Sequence, residues 1–314
     1  MARKDRGSAG AWFPRWFWPS FATPAIVWLL LFFVLPFYVI LSVAFGGLDQ
    51  IFLTATPVYN PLHWTFGPFR EVVSGLVTTD TIYQETFVRT LVYVGIATAL
   101  CLLIGYPVAY FIARHAGRAK TFFLVAFIAP FWISYMMRMF SWVNLLQPEG
   151  YVNRILQAVG VINEPVPWLN GKPSTVILGL VYGYFPLMVL PIYAALGDLD
   201  PSLIEAGKDL YGTPRQTFWH VTWPASLPGV LGGVILTFFP ALGDFATAQF
   251  LGGPDQAMIG NLINQQFTNS GLIPFGAALT MVLIGLVLIG VVIGIVLTRG
   301  RLRQAARGLA AVDG

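Results

Sequence analysis

The chain is 314 residues long, 56% of them apolar and only 10% charged, where an average soluble domain is about a quarter charged. So little charge excludes a water-covered globular domain, and 25 Phe, 12 Tyr and 10 Trp suit the bilayer and its interfaces. The net charge of +4 does not make a nucleic-acid binder, because the basic residues stand between long apolar runs, where membrane orientation explains them.

A helix crossing the hydrocarbon core needs roughly 20 mostly apolar residues. In chain order, Arg3, Lys4, Arg6 and Arg15 lead into the first such run, at about 24–45. Ser42-Val43-Ala44 resembles a cleavage site, but the run exceeds the roughly 7–15 residues of a signal-peptide core. It reads as an uncleaved anchor behind a cytoplasmic tail over 1–20. The segment 46–86 is long and holds Pro57, Pro61, Trp64 and Pro68. Spans at 87–113 and 121–146 flank a short loop whose Arg114, Arg118 and Lys120 read as orientation charges. The segment 147–173 predicts a short helix at Tyr151–Val159, then carries Pro165, Pro167 and Pro173.

Three further spans lie at 174–197, 226–250 and 275–298, the last without any charge. A tail over 299–314 follows, whose Arg299, Arg301, Arg303 and Arg307 suit anionic lipid headgroups. The expectation is an all-α polytopic protein with six transmembrane helices, forming one domain over 1–314. Thirteen Lys and Arg fall on one side of these spans and four on the other, so both termini are expected in the cytoplasm. Cys101 is alone, so no internal disulfide forms, and it reads as a small apolar residue. His63, His115 and His220 lack partners at ligand spacing, and no metal site is expected.

The stretch 198–224 is too polar to span and too long for a simple turn. Asp200-Pro201 starts a helix, with Asp as N-cap and Pro at the first position. Gly212 closes it in the left-handed conformation. Thr213-Pro214-Arg215-Gln216 restarts one at once with capping-box spacing. A helix, a glycine turn and a second helix on the cytoplasmic face suit docking to another protein, although an ordinary interfacial loop would satisfy the same residues. Gly229-x-x-x-Gly233 and Gly290-x-x-x-Gly294 permit close helix packing.

Glu205-Ala206-Gly207, then Gly212, Phe218, Val221 and Trp223-Pro224, resemble the EAA loop of ABC-importer permeases. Gly207 replaces the second Ala of that pattern and Trp223 its Leu. Phe131-Trp132 with Arg138, Pro186-Leu187 with Pro191-Ile192-Tyr193, Phe239 to Phe245, and Leu251 to Pro254 with Met258-Ile259-Gly260 are similar to one branch of the family, the one that contains the spermidine/putrescine permeases. The resemblance covers roughly residues 20–300. It implies the type I permease fold and half of a translocation path for a small polar solute such as a polyamine or related organic cation. It implies an ATPase dimer docked on Glu205, Ala206, Gly207 and Gly212, a second, related permease chain, a periplasmic binding protein, and the bacterial inner membrane. ATP and magnesium would belong to the partner ATPase. Neither Gly171-Lys172 nor Gly207-Lys208 continues as a phosphate-binding loop, so this chain reads as a non-enzymatic subunit without its own cofactor. An ion-gradient-driven secondary transporter is the alternative. It would more often show two related halves, and no internal repeat is visible.

Arg138 and Asp244 interrupt apolar spans, and an ionised residue there raises a functional hypothesis. Counted from the inner end, they lie about 26 and 27 Å deep if each span is straight. Pro240 and Gly243 predict a helix break just before Asp244. Asp244 would line the outer mouth of the pathway and attract a cation, or gate it with Arg138. Trp132, Tyr182 and Tyr184 are further lining candidates. In the bland alternative both charges snorkel to the interface and the aromatic residues only pack.

Overall fold

A computed structural model describes residues 17–49, 54–78, 81–268 and 272–310. Most of the N-terminal tail expected over 1–20 therefore lies outside the described residues. The first span is one apolar rod: α1 (Phe17–Leu29) passes through a π turn at Leu30–Val34 into α2 (Leu35–Ala44). Phe21 and the run from Ile26 to Leu35 are left exposed by the rest of the chain, while Ala44 at its end is buried. A two-residue hairpin, β1 (Gly47–Leu48) antiparallel to β2 (Ala55–Thr56), and the helix α3 (Gly67–Val77) lead to α4 (Ile82–Arg114).

The third segment is not the straight span expected over 121–146. A short 3-10 turn at Gly117–Ala119, α5 (Lys120–Ile128) and a second 3-10 turn at Ala129–Trp132 form one limb, and α6 (Tyr135–Leu146) the other, bent by 91°. Pro130 has no N–H to continue an α-helical ladder, and Ile133 and Ser134 adopt extended ψ values of 136° and 140°. The short helix expected at Tyr151–Val159 is α7 (Tyr151–Ala158).

The fourth span, α8 (Pro173–Gly197), is followed by α9 (Pro201–Tyr211) and the single turn α10 (Pro214–Thr217). A π turn at Phe218–Thr222 then leads without interruption into α11 (Trp223–Leu242). The fifth span thus begins at Pro214, and it stops at Leu242 instead of running to 250. As expected, the chain breaks at Gly243 and Asp244 before a further π turn at Ala248–Gly252. The helix α12 (Ile259–Thr268) precedes α13 (Ile273–Ala310), which continues as helix into the expected tail. Among the described residues, five helices are long and apolar enough to cross a membrane, or six if the bent pair is one span.

The core lies where α4, α8 and α11 meet around Cys101, Ala109, Met188, Ile192 and Val230. Lipid tails are as apolar as Leu, so such contacts rest on close van der Waals fit more than on water expulsion. Gly229 and Gly233 supply that fit: a Cβ on Gly229 would meet Ala195 at 2.5 Å, and one on Gly233 the Met188 carbonyl at 2.9 Å. Gly290 likewise faces the Phe239 ring, and Gly294 faces Ile235. Both glycine pairs therefore pack helices of this chain against each other.

Candidate functional site

Two regions collect the residues singled out in the sequence: the loop from Leu199 to Thr222, and a polar cluster on the far side of the helix bundle from it. In the loop, Asp200 caps α9 by accepting from the Ser202 N–H at 2.9 Å. That bond, and one from the Ser202 hydroxyl, hold the Asp200 carboxyl below the usual carboxylate range. Gly212 has φ +71°, the left-handed conformation that ends α9 without Cβ strain. Thr213 caps α10 through the Gln216 N–H, and its hydroxyl donates to the Gln216 side-chain oxygen at 2.6 Å.

Gly207 is buried where the family pattern has Ala. A Cβ there would lie 2.9 Å from Val221 and 3.0 Å from Thr217, so glycine lets α9 sit tightly on the following π turn. Glu205 and Ala206 point the other way and are exposed. Among the described residues no hydrogen bond or ion pair engages Glu205, so it does not cap its own helix. Leu203, Leu210 and Tyr211 on α9 and Trp219 beyond it are exposed as well.

The loop is anchored by residues that the sequence reading did not assign to it. Tyr106 packs edge-on against Phe218 at 5.8 Å and tilted against Trp223 at 5.0 Å, and its hydroxyl lies 2.9 Å from Ser226 Oγ. Arg114 donates to the Leu199 carbonyl at 3.0 Å, so it holds the loop's entry as well as carrying charge. A Tyr inside an apolar span looks the same whether it faces lipid or a loop, and an Arg at a span's end looks like an orientation charge, which is why neither was legible.

In the second region Asp244 is 6% exposed and Arg138 7%, so neither snorkels. They do not form an ion pair; among the described residues, the salt bridge is Arg89 with Glu85. Tyr135 stands between them. Its hydroxyl donates to Asp244 Oδ2 at 2.5 Å, and the Arg138 guanidinium lies 5.2 Å from its ring centre. Asp244 also accepts from the Thr247 N–H at 3.1 Å and from the Thr247 hydroxyl at 2.5 Å, which makes it the cap of the next helical turn. Tyr184 stands within electrostatic reach of the same carboxylate, its hydroxyl donating to the Pro240 carbonyl at 3.5 Å. A Cβ on Gly183 would lie 3.0 Å from the Tyr135 hydroxyl, so α8 makes room for the phenol with a glycine.

Arg138 rests on Phe131 at 4.3 Å and near Tyr182 at 5.9 Å. Trp132 is 79% exposed at the bend and joins neither group. Of the predicted pathway residues, Asp244 and Tyr184 thus share one cluster, and Arg138 and Tyr182 an adjacent one. Tyr135 and Thr247, which complete the first, were missed. Their signal was the spacing Asp-x-x-Thr after a helix break and Tyr-x-x-Arg on one face of α6.

The family model for the inner membrane component of binding-protein-dependent transport systems matches residues 105–301, which contain both regions. The spermidine/putrescine transport system permease protein PotB of Escherichia coli (strain K12) is 34% identical over 256 residues, covering 82% of this chain and 88% of that protein. The inner membrane ABC transporter permease protein YdcU of the same organism is 36% identical over 239 residues, covering 70% and 75%. Among solved structures, a bacterial ABC transporter involved in the import of the acidic polysaccharide alginate superposes with a TM-score of 0.67 at 18% identity, covering 90% of this chain and 95% of that one. The chain belongs to the family of binding-protein-dependent transport system inner membrane components, and its fold is that of a type I ABC-importer permease.

Proposed function

We propose that this permease subunit conducts a polyamine or related organic cation across the bacterial inner membrane, with Asp244 as the carboxylate that attracts it. The carrying observation is a carboxylate withdrawn from water, beside neutral hydroxyls and a backbone N–H, with no basic side chain paired to it among the described residues. Such a group is costly in a membrane protein unless a cation visits it. The spermidine/putrescine permeases among its relatives support the choice of substrate class.

In this reading the loop around α9 faces the cytoplasm, as do both termini, and Glu205, Ala206, Gly207 and Gly212 dock a separate ATPase. An exposed α9 whose Glu205 has no partner among the described residues, with exposed Leu203, Leu210 and Tyr211 on the same helix, suits a helix-in-groove contact. A second permease completes the path, and a periplasmic binding protein delivers the substrate to the far side. A solved complex of the alginate transporter contains a periplasmic protein bound to an alginate pentasaccharide, which supports that partner class.

Uptake of labelled putrescine and spermidine into proteoliposomes carrying the whole complex tests the reading. Asp244→Asn should lower uptake by about tenfold or more, as loss of a desolvated charge contact worth about 1.5–3 kcal/mol requires. Assembly and basal ATP hydrolysis should stay near wild type. Unchanged uptake would remove Asp244 from the path.

A further inference from the structure

Tyr106 and Arg114 fasten the inner half of α4 to the loop, and the opposite end of the same helix is fastened too. The buried Thr90 hydroxyl accepts from the Ile259 N–H at 2.9 Å and donates to the Thr86 carbonyl at 2.7 Å. One residue back, Arg89 pairs with Glu85 and donates to the carbonyls of Asp255 and Ala257. One turn on, the Tyr93 hydroxyl bonds the Gln256 side-chain oxygen. The outer half of α4 thus holds the segment from Asp255 to Ile259.

That segment leads into α12, which sits on the helix break beside Asp244. The Asn261 amide donates to the Phe245 carbonyl at 2.9 Å and to the Gln249 side-chain oxygen at 3.2 Å. A Cβ on Gly260 would lie 2.8 Å from the Gly243 carbonyl oxygen and 3.0 Å from the Asp244 backbone, so this approach needs glycine. At the inner end, Ser226 gives its one hydroxyl hydrogen to the Trp223 carbonyl at 3.0 Å, which makes Tyr106 the donor to Ser226. A chain from Tyr106 through Ser226 to Trp223 therefore ties α4 to the first turn of α11, directly after the π turn on which α9 rests.

Two other helices run between the loop and the outer side. The first, α11, follows that π turn and ends at the break at Gly243, with Pro228 and Pro240 inside it. The second, α8, holds Pro186 and Pro191. Each interior proline removes a ladder bond and favours a kink. Between Thr90 and Tyr106, α4 has no proline over about 24 Å at 1.5 Å per residue, and its Pro107 comes after Tyr106. Of the three, α4 is the stiff connection.

We propose that α4 is the rod that carries movement of the α9 loop to the backbone around Asp244, with Tyr106 and Thr90 as positioning residues at its two ends. Coupling between distant sites is carried by packed side chains, hydrogen bonds and rigid elements in contact, and these residues supply all three. The inference rests on the reading that an ATPase docks on α9.

The test uses the complete complex in nanodiscs with Gly243→Cys in this chain, labelled by an impermeant maleimide and read at that cysteine by mass spectrometry. A Cβ at 243 meets only the Pro240 carbonyl, at 3.8 Å, and the native Cys101 is buried. Trapping the ATPase with ATP and vanadate should change the labelling rate. Tyr106→Phe keeps both ring contacts and loses the hydroxyl, and Thr90→Val keeps the shape and loses the acceptor for Ile259. Each should lose most of that change while ATP hydrolysis continues, and Ser226→Ala should match Tyr106→Phe. Thr90→Ser should retain the change. So should Thr98→Val, which removes from the same helix a hydroxyl without a hydrogen-bond partner. The double variant Tyr106→Phe/Thr90→Val should lose no more than the worse single one, because both interrupt one line.

Losses that multiply in the double variant, or an equal loss in Thr98→Val, would overturn the inference. So would a labelling rate that trapping leaves unchanged in the parent complex. A full change in Tyr106→Phe and Thr90→Val that vanishes in Glu205→Ala would overturn it and leave the docking reading standing. A full change in Glu205→Ala that is lost in the other two would do the reverse.

Discussion

Tyr135 carries Asp244 on its hydroxyl, at 2.5 Å, while its ring faces the Arg138 guanidinium. One phenol therefore separates two buried charges of opposite sign and keeps them from neutralising each other. An ion pair would leave neither charge available to a solute. Held apart from Arg138, the carboxylate stays free to meet the cation proposed for it.

Tyr135→Phe isolates the hydrogen bond from the ring. The variant keeps the aromatic face under Arg138 but leaves Asp244 one donor short, at a cost of about 1–3 kcal/mol. Uptake should fall several-fold while the complex assembles, and the melting temperature of the purified complex should drop. Unchanged uptake together with unchanged melting would show that the phenol only fills space.

The loop around α9 rests on two glycines for different reasons. Gly212→Val forces a β-branched residue into the left-handed region at about 1–2 kcal/mol and should misplace α10. Gly207→Ala places a methyl 2.9 Å from Val221, so α9 must lift from the π turn. Both variants should retain membrane insertion and lose substrate-stimulated ATP hydrolysis, the first more severely. Adding Val221→Ala to Gly207→Ala should restore part of the loss, which a merely lower helix propensity would not allow.

In the bundle, Gly233→Leu drives a side chain into the Met188 backbone of α8. Overpacking of this kind costs about 1–3 kcal/mol. Thermal unfolding in detergent should report it without the second permease present, because the contact lies within one chain. A loss of stability seen only in the assembled complex would contradict that placement.

Cysteine labelling checks the orientation. Gly171→Cys, before α8, should react with an impermeant reagent from the periplasm, and Lys120→Cys, at the start of α5, should react only after the inner face is opened.

Much of the fold was legible because membrane insertion writes it in composition: every expected span has a helical counterpart near its place. The loop was legible for a different reason, since Asp200, Gly212 and Thr213 act through their own neighbours, within a few residues. The bend at Ile133 was not, because Pro130 alone does not decide between a kinked helix and a right-angle break; the extended Ile133 and Ser134 do. Equal depth suggested that Arg138 and Asp244 meet, but depth along straight spans ignores that bend and the phenol between them. Tyr135 was invisible for the same reason as Tyr106: sequence gives a side chain's height in the membrane more readily than the helix face it shares with a partner.

In the proposed cycle, ATP hydrolysis in a partner drives transport through this subunit by way of α9, where Glu205 is exposed and has no partner among the described residues. Substrate-stimulated ATP hydrolysis and cation uptake, measured together in proteoliposomes carrying the complete complex, test it most directly. With Glu205→Ala the complex should assemble, and both rates should fall together by about tenfold, as loss of a charged docking contact predicts. Normal rates of both in an assembled Glu205→Ala complex would show that α9 does not couple the two through this acid.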